Sequence, residues 1–262
     1  MEFEIAVPTH RRAELCAKMI SDLPPETHHR VTLFLSDEKD EQQYEALPFK
    51  KANTGARNLL QKLNYIHYHY PIGTKVVQLE DDIKLVEADP NNPQKTQQIT
   101  NIEDLIIQAF KKQPQGLWCF GSTANAFYML EEDKRGLYFA AGFAFGFTST
   151  HDKELELTVP YKNDYERTIK YFLKYGSILR LGNTGVATKS FVTKGGLQEN
   201  TSTEARRAEE EKCVEYLLER YGYMLRINKN RRSPMPEIAF RNPRIHPDEC
   251  RLRERRRNAT RQ

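Results

Sequence analysis

Long apolar runs are missing from this 262-residue sequence. The longest, Ala140 to Phe147, is interrupted by Gly142 and Gly146. It falls far short of the ~20 apolar residues that a membrane-spanning helix needs, so a soluble protein with no membrane partner is expected. Cysteine is scarce too. Cys16, Cys119, Cys213 and Cys250 stand far apart, without the paired spacing of a zinc site or a disulfide framework, which points to a reducing compartment. The sequence opens directly on Phe3-Glu4-Ile5-Ala6-Val7, without the basic segment, apolar stretch and small-residue cleavage site of a secretory leader. A cytoplasmic location is the expectation. No internal repeat is evident.

Charge, by contrast, is plentiful and unevenly placed. Lys and Arg total 40 against 36 Asp and Glu, a formal net charge of +4. The final stretch carries Arg241, Arg244, Arg251, Arg253, Arg255, Arg256, Arg257 and Arg261. Such density of one sign is the electrostatic footprint of a polyanionic partner, nucleic acid above all, although a solvated basic tail has the same composition.

The first half alternates short β-rich apolar runs with amphipathic stretches, the pattern of strands joined by crossover helices in a mainly parallel sheet. Phe3–Val7, Val31–Leu35, Val76–Leu79 and Leu117–Phe120 read as strands. Ala56–Tyr65 and Ile102–Lys112 have helical spacing, the second with Thr100 and Asn101 as caps. Asp89-Pro90-Asn91-Asn92-Pro93 reads as a mobile loop beside the most acidic strand end. Further on, Asn163–Tyr175 is a helix stopped by Gly176, Ile178–Leu181 a strand, and Thr201–Tyr221 a helix opened by a Thr201/Glu204 capping box. One domain over residues 1–230 is expected. Residues 231–262 form a Pro- and Arg-rich arm that wraps the domain or stays disordered.

The sharpest local feature is Glu80-Asp81-Asp82, directly after the strand Val76–Leu79. Taken alone, an acidic triplet is most simply a solvated turn. In an open α/β sheet, however, ligands sit outside the carboxyl ends of strands. Carboxylates crowded there repel one another, and a bound hard cation that also bridges to phosphate oxygens, Mg2+ or Mn2+, relieves the repulsion.

Context comes from Ile5-Ala6-Val7-Pro8-Thr9-His10-Arg11-Arg12, Leu35-Ser36-Asp37, Gly55-Ala56-Arg57-Asn58 and Leu79-Glu80-Asp81-Asp82. Their order and spacing resemble the GT-A glycosyltransferases, a mixed α/β fold with a mainly parallel sheet flanked by helices. The resemblance implies that Pro8, Thr9, Arg11, Asp37, Gly55, Arg57, Asn58, Glu80, Asp81 and Gly142 hold a nucleotide-sugar donor. It further implies that Asp82 with Glu80 holds the metal, Mn2+ or Mg2+. Ala141-Gly142-Phe143 falls in the place of the acceptor-side glycine segment, and Asn163-Asp164-Tyr165-Glu166 where the family supplies its base, here Asp164. Asn163 replaces the acid common before that Asp. No carboxy-terminal metal-ligating His is assigned, with His151 and His246 as candidates.

More narrowly, the glycine-to-Asn58 segment, the triplet, and the stretch from Lys194-Gly195-Gly196 to Arg220-Tyr221-Gly222 resemble the TET/JBP-associated glycosyltransferases, similar to the base J glucosyltransferase. That likeness implies a 5-hydroxymethyl-pyrimidine in DNA as acceptor; motif order and the basic tail together point to a hexose, glucose from UDP-glucose, and a single base without a second nucleophilic carboxylate predicts inversion at the anomeric carbon. A glycan, lipid or protein acceptor, or a non-catalytic nucleic-acid-binding module, are the alternatives.

Each residue also has a plainer reading. Arg57 alone is a surface arginine, and Gly55 the end of a loop. Asp37 suits a cap for the acidic turn after Ser36. Asp164 sits where a first-turn carboxylate is favoured anyway, and Asn163 with Glu166 imitates a capping box. Trp118, Phe120, Phe139, Phe143, Phe145 and Phe147 read first as core, with a few of them available to line an acceptor pocket.

Overall fold

Ile5, Ala6 and Val7 are almost wholly excluded from solvent. Unbroken burial along a strand marks a sheet covered on both faces, which is why the first strand shows no apolar–polar alternation. A computed structural model describes residues 1–188, 202–229, 233, 235–242 and 245–259. In chain order its elements are β1 (Glu4–Pro8), α1 (Ala13–Ser21), β2 (Val31–Leu35), α2 (Glu38–Gln43), β3 (Lys50–Asn53), α3 (Leu59–His69), β4 (Lys75–Leu79), β5 (Ile83–Asp89) and β6 (Asn92–Gln98). There follow α4 (Ile102–Lys112), β7 (Leu117–Cys119), β8 (Lys134–Gly136), β9 (Ala144–Thr148), α5 (Asn163–Tyr175), β10 (Ile178–Arg180), β11 (Thr184–Thr188), α6 (Thr203–Tyr221), β12 (Leu225–Ile227), β13 (Ile238–Phe240) and α7 (Pro247–Ala259).

The central sheet runs β3-β2-β1-β4-β9-β7-β10-β8. The β3-β2-β1-β4 half is parallel throughout, so the loops after these four strands emerge at one edge. β9 then enters antiparallel between β4 and β7. It is the strand least visible in the sequence, because Phe145-Gly146-Phe147 lies inside the apolar run that also holds Gly142. Gly146 allows the Trp118 indole to lie across β9, since a Cβ there would fall 2.2 Å from the ring.

Two apolar layers cover the sheet. Ile5, Val7, Leu33, Leu35, Val77 and Leu79 pack with Met19 and Ile20 of α1 and Ile106 and Phe110 of α4. Ala6, Phe34 and Val76, one residue out of phase, face the opposite way toward Ile66 of α3, Phe172 of α5 and Leu217 of α6. The mixed α/β class expected from the sequence is the observed one.

Several local expectations change. Asp89–Pro93 is no mobile loop: β5 and β6 pair antiparallel, Asp89 opposite Asn92, and the turn formers tighten a hairpin tip. The helix expected from Ala56 begins at Leu59 and extends to His69, because Asn58 caps it by accepting from Gln61 N at 2.9 Å. α6 is capped by Ser202, whose side chain accepts from Ala205 N. Thr201, with the Lys194-Gly195-Gly196 segment, lies outside the described residues.

No capping box forms at α5. Asn163 is inside the helix and donates to Pro160 O, while the buried Glu166 carboxylate accepts from Thr158 N, Thr158 Oγ1 and Val159 N at 2.8, 2.6 and 3.2 Å. Three donors and Lys170 at 3.0 Å hold Glu166 more firmly than the single backbone N–H of a capping box.

The carboxy-terminal arm is built onto the domain where it is described. β13 pairs with β12, Arg241 Nε donates to Gly222 O and Leu225 O, and Arg251 Nε donates to Leu173 O. These two arginines cap open carbonyls and tie the arm down.

Candidate active site

Because β1 through β4 run parallel, Thr9 to Arg12, Ser36 to Asp37, Thr54 to Asn58 and Glu80 to Asp82 all leave the sheet at its carboxyl edge. This is where an open α/β sheet binds ligands. The edge is organised around two buried carboxylates. Asp40 accepts from Arg11 N and Ser36 N, each at 2.9 Å, and lies 3.2 Å from His10 Nδ1. Asp81 accepts from Thr9 Oγ1 at 2.6 Å, and its other oxygen lies 3.2 Å from Arg12 Nη1. The same nitrogen reaches Asp82 Oδ2, also at 3.2 Å. From α3, Lys62 donates to Thr9 O at 2.5 Å, and burial pushes its ammonium down to about 8 against the pull of Asp40 and Asp81.

Glu80 parts from its two neighbours. Its backbone N–H donates to Phe143 O at 2.9 Å, a bond that exists because β9 runs antiparallel to β4 with Ala144 opposite Leu79. The turn at Gly142 is thereby laid against the triplet. A Cβ on Gly142 would meet Glu80 Oε1 at 3.5 Å and Arg167 Nη2 at 3.7 Å. Burial first, then the charges of Asp82, Asp81 and Asp164, push the Glu80 carboxyl up to about 8. Asp164, in the first turn of α5, is likewise raised by burial and drawn back chiefly by Arg167. Glu80 and Arg167 thus flank Gly142, with the charge of Asp164 acting on both, while Asp81 and Asp82 share Arg12.

The remaining residues singled out from the sequence fall as follows. Pro8 is buried as the last residue of β1, opposite Phe34. Arg11 adopts a left-handed backbone, φ 54°, with an exposed side chain, and its N–H serves Asp40. Asp37 caps α2, and the Asp40 N–H it binds holds its carboxyl below the usual range. Gly55 takes φ +62°, a conformation that suits glycine. Arg57 is exposed, its N–H accepted by Gln61 Oε1 at 2.8 Å. With Asn58 accepting from Gln61 N, much of the α3 entrance is closed on itself. No hydrogen bond or ion pair joins Arg57 to the triplet among the described residues.

Both histidine candidates lie away from the triplet. His151 follows β9, whose end Thr148 pairs with Lys75 at the start of β4, and its Nε2 lies 2.7 Å from Tyr70 O. It therefore sits at the opposite edge of the sheet. His246 precedes α7, which packs against the last turn of α5. Asp164 begins that helix, roughly 15 to 20 Å away at 1.5 Å per residue. Trp118, Phe120, Phe145 and Phe147 are buried. Phe139 stacks on Tyr165, ring centroids 4.4 Å apart, next to Asp164.

Arg12, Asp40 and Arg167 belong to the site without standing out in the sequence. Arg12 is indistinguishable from Arg11 in the sequence until the left-handed turn separates them. Arg167 carried one signal, a charged residue on the apolar stripe of an otherwise amphipathic helix.

Among the described residues no three His, Cys, Asp or Glu side chains converge to hold an ion alone. Asp81 and Asp82, side by side on Arg12, with Glu80 coupled to both by charge, supply oxygen donors of the kind that Mg2+ or Mn2+ takes while keeping sites for phosphate oxygens and water. Burial is the larger cause of the rise of Glu80, and the charges of Asp82 and Asp81 that add to it are the repulsion such an ion relieves.

Fold and edge together define the class: a GT-A-like, Rossmann-like α/β fold. No protein-family description matches the chain, and no curated protein matches by sequence. Among solved structures it is similar to GalNAc-T7 with UDP, GalNAc and Mn2+, at TM-score 0.51 and 12% identity. That match covers 72% of this chain and 44% of the other, so the chain spans less than half of that structure's length. A mycobacterial protein aligns at TM-score 0.54 and 10% identity, over 91% of this chain and 83% of that one. At these identities the likeness is one of fold. No helix among the described residues is long and apolar enough to cross a membrane.

Proposed function

We propose that this chain is a metal-dependent glycosyltransferase that moves a hexose, glucose from UDP-glucose, onto a 5-hydroxymethyl-pyrimidine in DNA. The observation that carries glycosyl transfer is the approach of Glu80 and Arg167 to Gly142 under the charge of Asp164, beside the Asp81–Asp82 pair at the carboxyl edge of a GT-A-like sheet. The nucleotide lies along Pro8, Thr9, Arg11, Asp37, Gly55, Arg57, Asn58 and Asp81. Asp82 with Glu80 would hold Mn2+ or Mg2+, which when bound supplies positive charge for the departing diphosphate. Asp164 takes the proton of the acceptor hydroxyl. Its burial raises its basicity, which strengthens a carboxylate in that task. One base without a second nucleophilic carboxylate implies inversion.

The DNA acceptor is supported by the sequence resemblance and by the charge of the arm. A pyrimidine 5-substituent projects into the major groove, where it is partly reachable without opening the duplex. A second reading, a glycan, lipid or protein acceptor, is favoured by the structural employment of Arg241 and Arg251.

The test is incubation with UDP-glucose, Mn2+ and hydroxymethylated DNA, followed by mass spectrometry of the nucleosides. A hexose mass gain is expected. Absence of any gain across several donor sugars and both hydroxymethyl bases eliminates DNA as acceptor. Salt separates the two readings, since each neutralised phosphate contributes a log–log slope of about −0.9 to DNA affinity.

A further inference from the structure

Arg167 has an incomplete set of partners for a buried cation. It is 5% exposed, its guanidinium lies 3.8 Å from the Phe145 ring centroid, and its buried Nε and Nη2 have no hydrogen-bond partner. Buried N–H donors left unsatisfied on a charged group are destabilising. The guanidinium carbon lies over the Phe145 ring, which holds the fork in place before any ligand arrives. The direction of Nη2 is given by Gly142: the position of its missing Cβ lies 3.7 Å from Nη2 and 3.5 Å from Glu80 Oε1. A donor and an acceptor therefore flank one position, and the absence of a side chain at Gly142 leaves there the room of about one methyl or hydroxyl group.

The chemistry of the gap selects its occupant. Asp164 and Glu80 are the acidic groups whose charge acts on Arg167. A diphosphate oxygen placed there would lie beside two acidic side chains, neither of which offers it positive charge. A neutral hydroxyl suits both sides, because it accepts from guanidinium N–H and donates to carboxylate oxygen.

We propose that Arg167 is a sugar-reading residue, whose Nε and Nη2 donate to hydroxyl oxygens of the transferred hexose in the gap at Gly142 that it shares with Glu80. This rests on the glycosyl-transfer reading above and adds to it the residue that recognises the sugar.

The experiment is calorimetric binding of UDP-glucose and of UDP, each with Mn2+, to the full chain and to Arg167→Met, Arg167→Lys and Gly142→Ala. In Arg167→Met the affinity for UDP-glucose relative to UDP should fall about 10- to 100-fold, the range for a hydrogen bond to a charged group. UDP affinity should stay within about two-fold, the scatter of distant sites. The melting temperature should fall, because Asp164 loses the opposite charge that draws its carboxyl back, and circular dichroism checks that the variant folds. Gly142→Ala, whose methyl would make only ordinary contacts, should fold and show the same selective loss. It keeps the question decidable if Arg167→Met does not fold.

Wild-type affinity for UDP-glucose in both Arg167→Met and Gly142→Ala overturns the proposal and leaves glycosyl transfer standing. An equal loss of UDP and UDP-glucose assigns the guanidinium to the diphosphate and overturns the sugar assignment. A wild-type chain that binds neither nucleotide removes the parent reading itself, and this one with it.

Discussion

Thr9 Oγ1 donates a 2.6 Å hydrogen bond to Asp81 Oδ2, joining the loop after β1 to the middle carboxylate of the acidic triplet across 72 residues of sequence. The same hydroxyl lies 2.6 Å from Tyr44 Oη. Thr9 therefore fixes Asp81 and the loop around it. Thr9→Val keeps the shape and deletes both bonds, leaving a buried carboxylate short of a donor. A loss of about 1 to 3 kcal/mol in urea unfolding is expected. Thr9→Ser should recover most of it, and an unchanged midpoint in Thr9→Val would show the bond to be incidental.

Asp82 differs from Asp81 in having no bond to the Thr9 hydroxyl, although it shares Arg12, and it is the triplet member proposed to take an ion. Asp82→Ala should abolish transfer and the Mn2+-dependent part of UDP binding, with the fold intact by circular dichroism. Titration of UDP into the variant with and without Mn2+ decides it. An undiminished metal effect refutes the assignment.

Asp164 and Glu166 stand two residues apart on α5 and should fail in opposite ways. Asp164→Asn should lower kcat by about 10²- to 10⁴-fold with UDP-glucose affinity preserved, the signature of a lost general base. Glu166→Ala strips three hydrogen bonds from Thr158 and Val159 and leaves the mostly buried Lys170 without its ion pair. A loss of about 3 to 5 kcal/mol is expected. Finding the kcat defect in a well-folded Glu166 variant, and none in Asp164→Asn, would reverse the two roles.

Glu80 sets a pH dependence whose sign follows from its environment. Its folded carboxyl is pushed up to about 8, chiefly by burial, from an ordinary 4.5. Between those values the folded chain holds a proton that the unfolded chain has released. The contribution of Glu80 to stability is thus fully present below pH 4.5 and is lost as pH rises through 8. Melting temperature should decline over that window in the absence of metal and nucleotide, and Glu80→Gln should flatten the decline. Identical pH profiles for both chains would dissociate the effect from Glu80.

The sequence by itself determined the elements whose causes are local. α4 and α5 occupy the spans expected of them, Ile102–Lys112 and Asn163–Tyr175, because the spacing of apolar residues and a stopping glycine act within a few residues. β1, β2 and β4 were equally legible from their unbroken apolar runs, and with them the carboxyl edge that carries Glu80, Asp81 and Asp82. Only the tertiary structure decided what meets at that edge. The antiparallel insertion of β9 between β4 and β7 brings Gly142 to Glu80, and no pattern along the chain reveals which strands will be neighbours. The left-handed turn at Arg11 delivers Arg12 to the acidic pair. The N-terminal turn of α5, docked beside β9, directs Arg167 inward with Asp164. Local preference reaches only a helical turn or two, whereas a site between strands depends on pairings tens of residues apart, and those are settled when the two apolar layers close over the sheet.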